Sequence, residues 1–223
     1  MKMHIPRLRK VHPNASGTIP HNASDKESVD GEKIGLTVWR KSLVFNCFGF
    51  TVFNSEGDLA FRVDSYRSRC CKTLLMDASG TPLFTIRGKT ACLGLGDMWK
   101  IYQGETSSNP LYFARHYRVS SLLSSDSSQL LARVSSTRKD VAATTWYEVE
   151  GSYGERRCSI YRCFSGNFRS MKKVKVAEMK EKESVRGMKF GCDVYRLNVW
   201  GDLIESSLAM AMVVALDLMF ETY

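Results

Sequence analysis

The chain is poor in histidine, with four in 223 residues. His4, His12 and His21 stand before any strand-like pattern begins, which leaves His116. A His-based triad or a multi-histidine metal site therefore lacks its raw material. Also missing are a Gly-x-Ser-x-Gly elbow and a P-loop, and Gly94-Leu95-Gly96 has neither the third glycine nor the strand-to-helix setting of a dinucleotide site. Cys158 and Cys163 have no second pair at zinc-ligand spacing and read as ordinary strand cysteines. No catalytic residue, metal site or cofactor site is expected, and the chain reads as a non-enzyme.

A secretory h-region is absent as well, since the basic opening "MKMHIPRLRK" has no apolar run behind it. The seven cysteines, an odd number at irregular spacings, then read as reduced thiols of an intracellular protein. Vicinal Cys70 and Cys71 are a candidate acylation or redox site, because Arg67, Arg69 and Lys72 beside them favour thiolate. No recognition-helix motif, zinc finger or basic zipper is present, so nucleic acid is a partner by charge alone.

What the sequence does have is positive charge, a formal +9. Between Arg156 and Arg196 stand twelve Lys or Arg against four Asp or Glu, a local surplus of +8. Arg169, Lys172, Lys173, Lys175, Lys180, Lys182, Arg186 and Lys189 fall on two strand-like runs and their connection. One reading is a solvated strand pair whose long side chains discourage edge-to-edge aggregation. The other is an anionic headgroup site, where each cation contributes on the order of 1 kcal/mol near an anionic surface. "RSMKKVKV" is also a weak match to a nuclear import signal.

Residues 1–33 lack apolar periodicity and hold three of the five prolines, which predicts a disordered basic arm. From Ile34 onward come short β-branched and aromatic runs: "LTVWR", "FTVFN", "LAFRV", "PLFTIRG", "MWKIY", "PLYFA", "LLARVSS", "TTWYEVE", "RCSIYRC", "VKVAEM" and "CDVYRLNVW". Such a series predicts an antiparallel sheet closing into a barrel or sandwich. Asn54-Ser55-Glu56-Gly57 and Asp77-Ala78-Ser79-Gly80 share one design, a type I turn closing on a left-handed Gly, and predict two successive hairpins. Trp39, Trp99, Trp146 and Trp200 lie in or beside these runs, with core packing as the default expectation.

After Trp200-Gly201 the pattern predicts a helix over about 202–221, with Asp202 as its N-cap. Its length, about 30 Å, would reach across a bilayer. The uncharged run from Ser206 to Leu216 is only eleven residues, however, and Asp217 then interrupts it. A run of about 10 to 14 apolar residues belongs more often to a buried helix, and an Asp at that depth would cost several kcal/mol in lipid. Apolar residues cover every side of this helix, with Leu208, Met212, Val213, Leu216, Met219 and Phe220 as its expected core, so it must be enclosed on all sides. In a β protein that enclosure is the inside of a barrel of about twelve strands.

Six pieces in this order, "LTVWRKSLVF", "FTVFNSEGDLAFRVD", "TLLMDASGTPLFTIRGK", "DMWKIYQGE", "YEVEGSYGERRCSIY" and "GCDVYRLNVWGDLIESSLAMAMVVALDLMF", resemble the plant LURP-one-related family, a branch of the tubby-like architecture. The sequence departs from the family pattern at "NVWGDL" and in the Arg-Cys-Cys and Lys-rich inserts. The resemblance runs from about Leu36 to Phe220 and implies a 34–223 domain: a closed antiparallel barrel of about twelve strands around a C-terminal hydrophobic helix. It further implies kinship with phospholipid scramblases, a place among candidate membrane-tethered transcription regulators, and links to plant defence. Tubby domains bind phosphoinositides; the resemblance carries over that ligand class and no ligand residues. The expectation is a monomeric module, cytoplasmic, peripheral at the plasma membrane or nuclear, with anionic membrane lipid as partner. A scramblase-like membrane protein and a small-ligand carrier are the alternatives, the second requiring a cavity that the central helix should fill.

Overall fold

The computed structural model describes residues 32–44, 47–65, 72–89, 98–117, 129–137, 145–165, 171–183 and 190–220. Its strands are β1 (Lys33–Trp39), β2 (Phe48–Phe53), β3 (Leu59–Ser65), β4 (Lys72–Asp77), β5 (Pro82–Lys89) and β6 (Met98–Gln103). There follow β7 (Tyr112–His116), β8 (Leu130–Ser136), β9 (Thr145–Ser152), β10 (Arg157–Ser165), β11 (Met171–Glu181), β12 (Val194–Trp200) and the helix α1 (Ser206–Phe220). Each strand pairs antiparallel with its neighbours in sequence, and β1 pairs with β12, so the sheet closes on itself. Closure follows from patterning. Leu36 and Val38 of β1 stand opposite Leu197 and Tyr195 of β12, and both pairs turn inward, while Ile34 opposite Val199 is exposed at the strand's start.

Both expected hairpins are present. In the first, Asn54 N–H donates to the Asp58 carbonyl at 2.9 Å and Gly57 adopts φ +91°. The second repeats it with Asp77 and Thr81 at 3.0 Å and Gly80 at φ +88°. Glycine suits both positions because a side chain is strained at positive φ. The strand missing from the eleven runs quoted above, β4, is the leading arm of this second hairpin.

An eight-stranded barrel is filled by its own side chains, whereas twelve strands leave room for a helix about 10 Å across. Here α1 fills it, and every residue from Leu208 to Asp217 is buried. Each large apolar side chain enclosed this way contributes on the order of 1.5–3 kcal/mol. The helix starts later than its sequence predicts. Leu203 and Ile204 N–H both turn back to the Trp200 carbonyl, and the first helical bond runs from Ala209 N–H to Glu205, which is therefore the cap residue in place of Asp202. At fifteen residues, about 22 Å, α1 falls short of a bilayer. Among the described residues no helix is long and apolar enough to cross a membrane.

Asp217, the charge that interrupts the apolar run, sits 4% exposed inside the barrel. Arg40 Nε donates to its Oδ1 at 3.1 Å, and the Tyr153 hydroxyl donates to the same oxygen at 2.8 Å. Burial, reinforced by Tyr195 and Asp217, holds the Tyr153 hydroxyl far above its ordinary pKa, so it stays a neutral donor. Arg156, 3% exposed, completes this end by donating to the carbonyls of Cys192 and Tyr153 and lying over the rings of Tyr153 and Tyr195.

Of the expected arm, residues 1–31 lie outside the described ones, and Lys33 already begins β1. Of the four tryptophans, Trp99 alone is buried in the core, while Trp39 is 39% exposed and Trp146 and Trp200 are half-buried. Strand parity explains the difference, because Trp39 alternates with the inward Leu36 and Val38, and Trp146 with the inward Tyr147 and Val149.

Candidate functional site

Cysteine chemistry places no reactive group on the described strands. Cys158 faces the core and Cys163 the outer wall, both as free buried thiols. Burial pushes the first up to about 12 and the second up to about 11, with the Glu148 charge adding to the latter. His116 sits edge-on to the Phe220 ring, with 4.6 Å between ring centroids. Cys70 and Cys71 lie outside the described residues. Among the described residues no cluster of His, Cys, Asp or Glu could hold a metal.

The basic residues form a more organised feature. Alternation along β11 would send Lys173 and Lys175 to one face and Lys180 and Lys182 to the other. A β-bulge prevents this: Ile160 pairs with Ala177 but Tyr161 pairs with Lys175, so Val176 is an extra residue. The parity resets there, and all four lysines share the outer wall. Glu178 demonstrates the shared face by meeting Lys175 at 3.5 Å and Lys180 at 2.9 Å. At the strand's end, Lys182 Nζ donates to Thr37 Oγ1 at 3.2 Å and lies 5.9 Å from the Phe190 ring centroid.

Acids on neighbouring positions hold this row in place. Lys173 pairs with Glu150 and, at 3.5 Å, with Glu148. Glu148 also accepts from Arg133 at 2.7 Å and from Trp146 Nε1 at 3.0 Å. Glu178 receives Lys33 at 3.2 Å and Asn198 at 3.3 Å as well. Burial alone would raise both Glu148 and Glu178, but hydrogen bonds outweigh it: Trp146 and Arg133 for the first, Lys180 and Lys33 for the second, so both carboxyls stay below their ordinary pKa. Arg196 extends the wall onto β12, its guanidinium lying across Gly35, where a Cβ would come within 2.3 Å of it. A side chain at position 35 would push the Arg196 head aside.

Of the eight basic residues singled out in sequence, Lys172, Lys173, Lys175, Lys180 and Lys182 are described, all on β11 or just past it; Arg169, Arg186 and Lys189 lie outside. Sequence reasoning missed the anchoring acids and the contributions of Lys33, Arg133 and Arg196. A signal for the acids was present in "TWYEVE", where Trp146, Glu148 and Glu150 share one parity and hence one face.

A second feature lies at the other end of the barrel. Around the first turn of α1 a cavity of about 550 Å³ opens, lined on one side by aromatic and aliphatic side chains and elsewhere by Arg162, Gln103, Ser136, Asp202, Glu205 and Ser207.

Comparison with known proteins agrees with this architecture. Residues 34–217 match the LURP-one-related family model. The Arabidopsis thaliana protein LURP-one-related 8 is 44% identical over 218 residues, spanning 96% of this chain and 100% of that protein. LURP-one-related 17 from the same plant is 37% identical over 228 residues, spanning 96% of each. An Arabidopsis thaliana protein solved by X-ray crystallography shares the fold with a TM-score of 0.53 at 20% identity, over 88% of this chain and 97% of that one. With its twelve-stranded wall, its buried terminal helix and a near full-length match to these relatives, the chain belongs to the LURP-one-related family.

Proposed function

We propose that this protein is a non-enzymatic binding and regulatory module that docks on anionic phospholipid through the outer wall of β11, β12 and β1. The supporting observation is the bulge-aligned row of Lys173, Lys175, Lys180 and Lys182, flanked by Lys33 and Arg196. Lysines anchored by Glu148, Glu150 and Glu178 lose less side-chain freedom on meeting a phosphate than free ones would. The row runs out beside Trp39 and Phe190, which are 39% and 41% exposed, amphipathic and apolar rings suited to the headgroup level. Arg169, Arg186 and Lys189 belong to the same proposal by their place in sequence. A peripheral position at the plasma membrane or in the nucleus, and a role in plant defence signalling, complete the reading on the strength of the family resemblance.

The test is vesicle co-sedimentation with phosphatidylcholine alone and with added phosphatidylserine. Binding to the anionic vesicles should fall at least tenfold in Lys172→Glu/Lys173→Glu/Lys175→Glu and in Lys180→Glu/Lys182→Glu, and should weaken in high salt. Unchanged binding in both variants removes this wall from consideration.

A further inference from the structure

The cavity beside the first turn of α1 stands apart from the lysine wall. Its floor and sides include Phe84, Tyr112, Tyr147 and Leu208, and Arg162 reaches it from β10. Arg162 points inward, following the buried Cys158 and Ile160 on alternate positions of that strand. One of its Nη atoms donates to the Leu203 carbonyl, and the guanidinium lies 5.8 Å from the Tyr147 ring centroid. Its Nε is fully buried with no hydrogen-bond partner, and among the described residues no carboxylate pairs with it. An inward guanidinium with an unused donor beside a cavity of about 550 Å³ is an arrangement that a ligand's acceptor would complete.

The surroundings narrow the ligand. Nε–H and a remaining Nη–H form a side-on fork matched to the two oxygens of a carboxylate. Ser207 and Leu208 N–H belong to the first turn of α1, lack partners within the helix, and add the positive end of its dipole. At the mouth, Asp202 and Glu205 are exposed carboxylates, which oppose a second negative charge and so disfavour a phosphate dianion. Phe84, Tyr112, Tyr147 and Leu208 give the cavity one apolar side that suits a small apolar body, with Gln103, Ser136 and Ser207 supplying polar lining beside it. We infer that this cavity binds a small organic monocarboxylate, its carboxylate on Arg162 and its apolar part against Phe84, Tyr112, Tyr147 and Leu208.

Titration calorimetry on the full chain tests this with ω-phenylalkanoates from 4-phenylbutanoate to 8-phenyloctanoate and the matching primary alcohols as probes. At least one acid should bind saturably at one per chain, tenfold or more tighter than its alcohol. Arg162→Gln should reduce the acid to the alcohol's affinity and leave vesicle binding unchanged, which separates this site from the lysine wall. Ser207→Trp, a filling change at the half-buried rim, should abolish binding of both probes and serves if Arg162→Gln fails to fold. No saturable binding, equal affinity for acid and alcohol, a preference that survives Arg162→Gln, or binding that survives Ser207→Trp would each overturn the assignment.

Discussion

The two ends of the central helix treat charge in opposite ways. At its C-terminal end Asp217 is deeply buried and paired with Arg40 and Tyr153, while Arg156 is met by two carbonyls and two aromatic rings. At its N-terminal end Arg162 also turns inward, yet it has one carbonyl, one ring and a cavity. The C-terminal end also borders a cavity, about 420 Å³ along Arg40, Ser42 and Asp217. Its buried carboxylate already has its partners, so that end anchors the helix, whereas the inward charge at the N-terminal end keeps a donor for an anion.

The comparison makes predictions that descend in size. Ending the chain after Trp200 removes the helix from both ends and should abolish folding, because the apolar lining of twelve strands is left without its filler. Near-ultraviolet circular dichroism and limited proteolysis would show it, and a protease-resistant barrel without the helix would contradict the anchoring role. Asp217→Ala should lower stability by about 3 kcal/mol, since the buried Tyr153 hydroxyl loses its acceptor and Arg40, 22% exposed and still 3.8 Å from Asp193, loses its stronger partner. For a domain of this size that corresponds to a melting temperature lower by roughly 10 °C in differential scanning calorimetry.

Arg162→Met, the matching change at the other end, should shift stability by no more than about 1.5 kcal/mol, because a single carbonyl bond is lost. A loss as large as that of Asp217→Ala in the same calorimetric experiment would make the two ends alike. The smallest effect concerns thiols. Burial raises Cys158 to about 12, whereas Cys192 near the same end is exposed. Iodoacetamide at pH 8 should label Cys192 and spare Cys158, read by peptide mass spectrometry; equal labelling would show that the anchored end opens readily.

Much of the fold was legible because its signals are local. The turns at Asn54–Gly57 and Asp77–Gly80 declare themselves through residue types that only a left-handed Gly completes, and Val63 and Ile86 follow them into the core at equivalent places. Asp217 marked the helix as buried rather than membrane-spanning, because charge and run length are readable without coordinates. Less of the candidate site was legible. The lysines of β11 stand out by count, but their common face depends on the bulge at Val176, which exists only in the pairing of β11 with β10. Their acidic anchors come from β9 and from β11 itself, and Lys33 reaches Glu178 across 145 positions in sequence. The cap at Glu205 was likewise hidden, since Asp202 offers the better capping side chain and the backbone turn onto Trp200 overrides it.

Sequence alone therefore determined the β-run series, the two hairpins, the apolar terminal helix and the sign and location of the charge, all of which rest on side-chain type and short-range spacing. Tertiary structure alone decided which lysines share a wall, which acids hold them, that Asp217 meets Arg40 and Tyr153, and that Arg162 faces a cavity instead of solvent. The physical reason is that a barrel's inside and outside are fixed by register, and one extra residue in one strand exchanges them for everything beyond it.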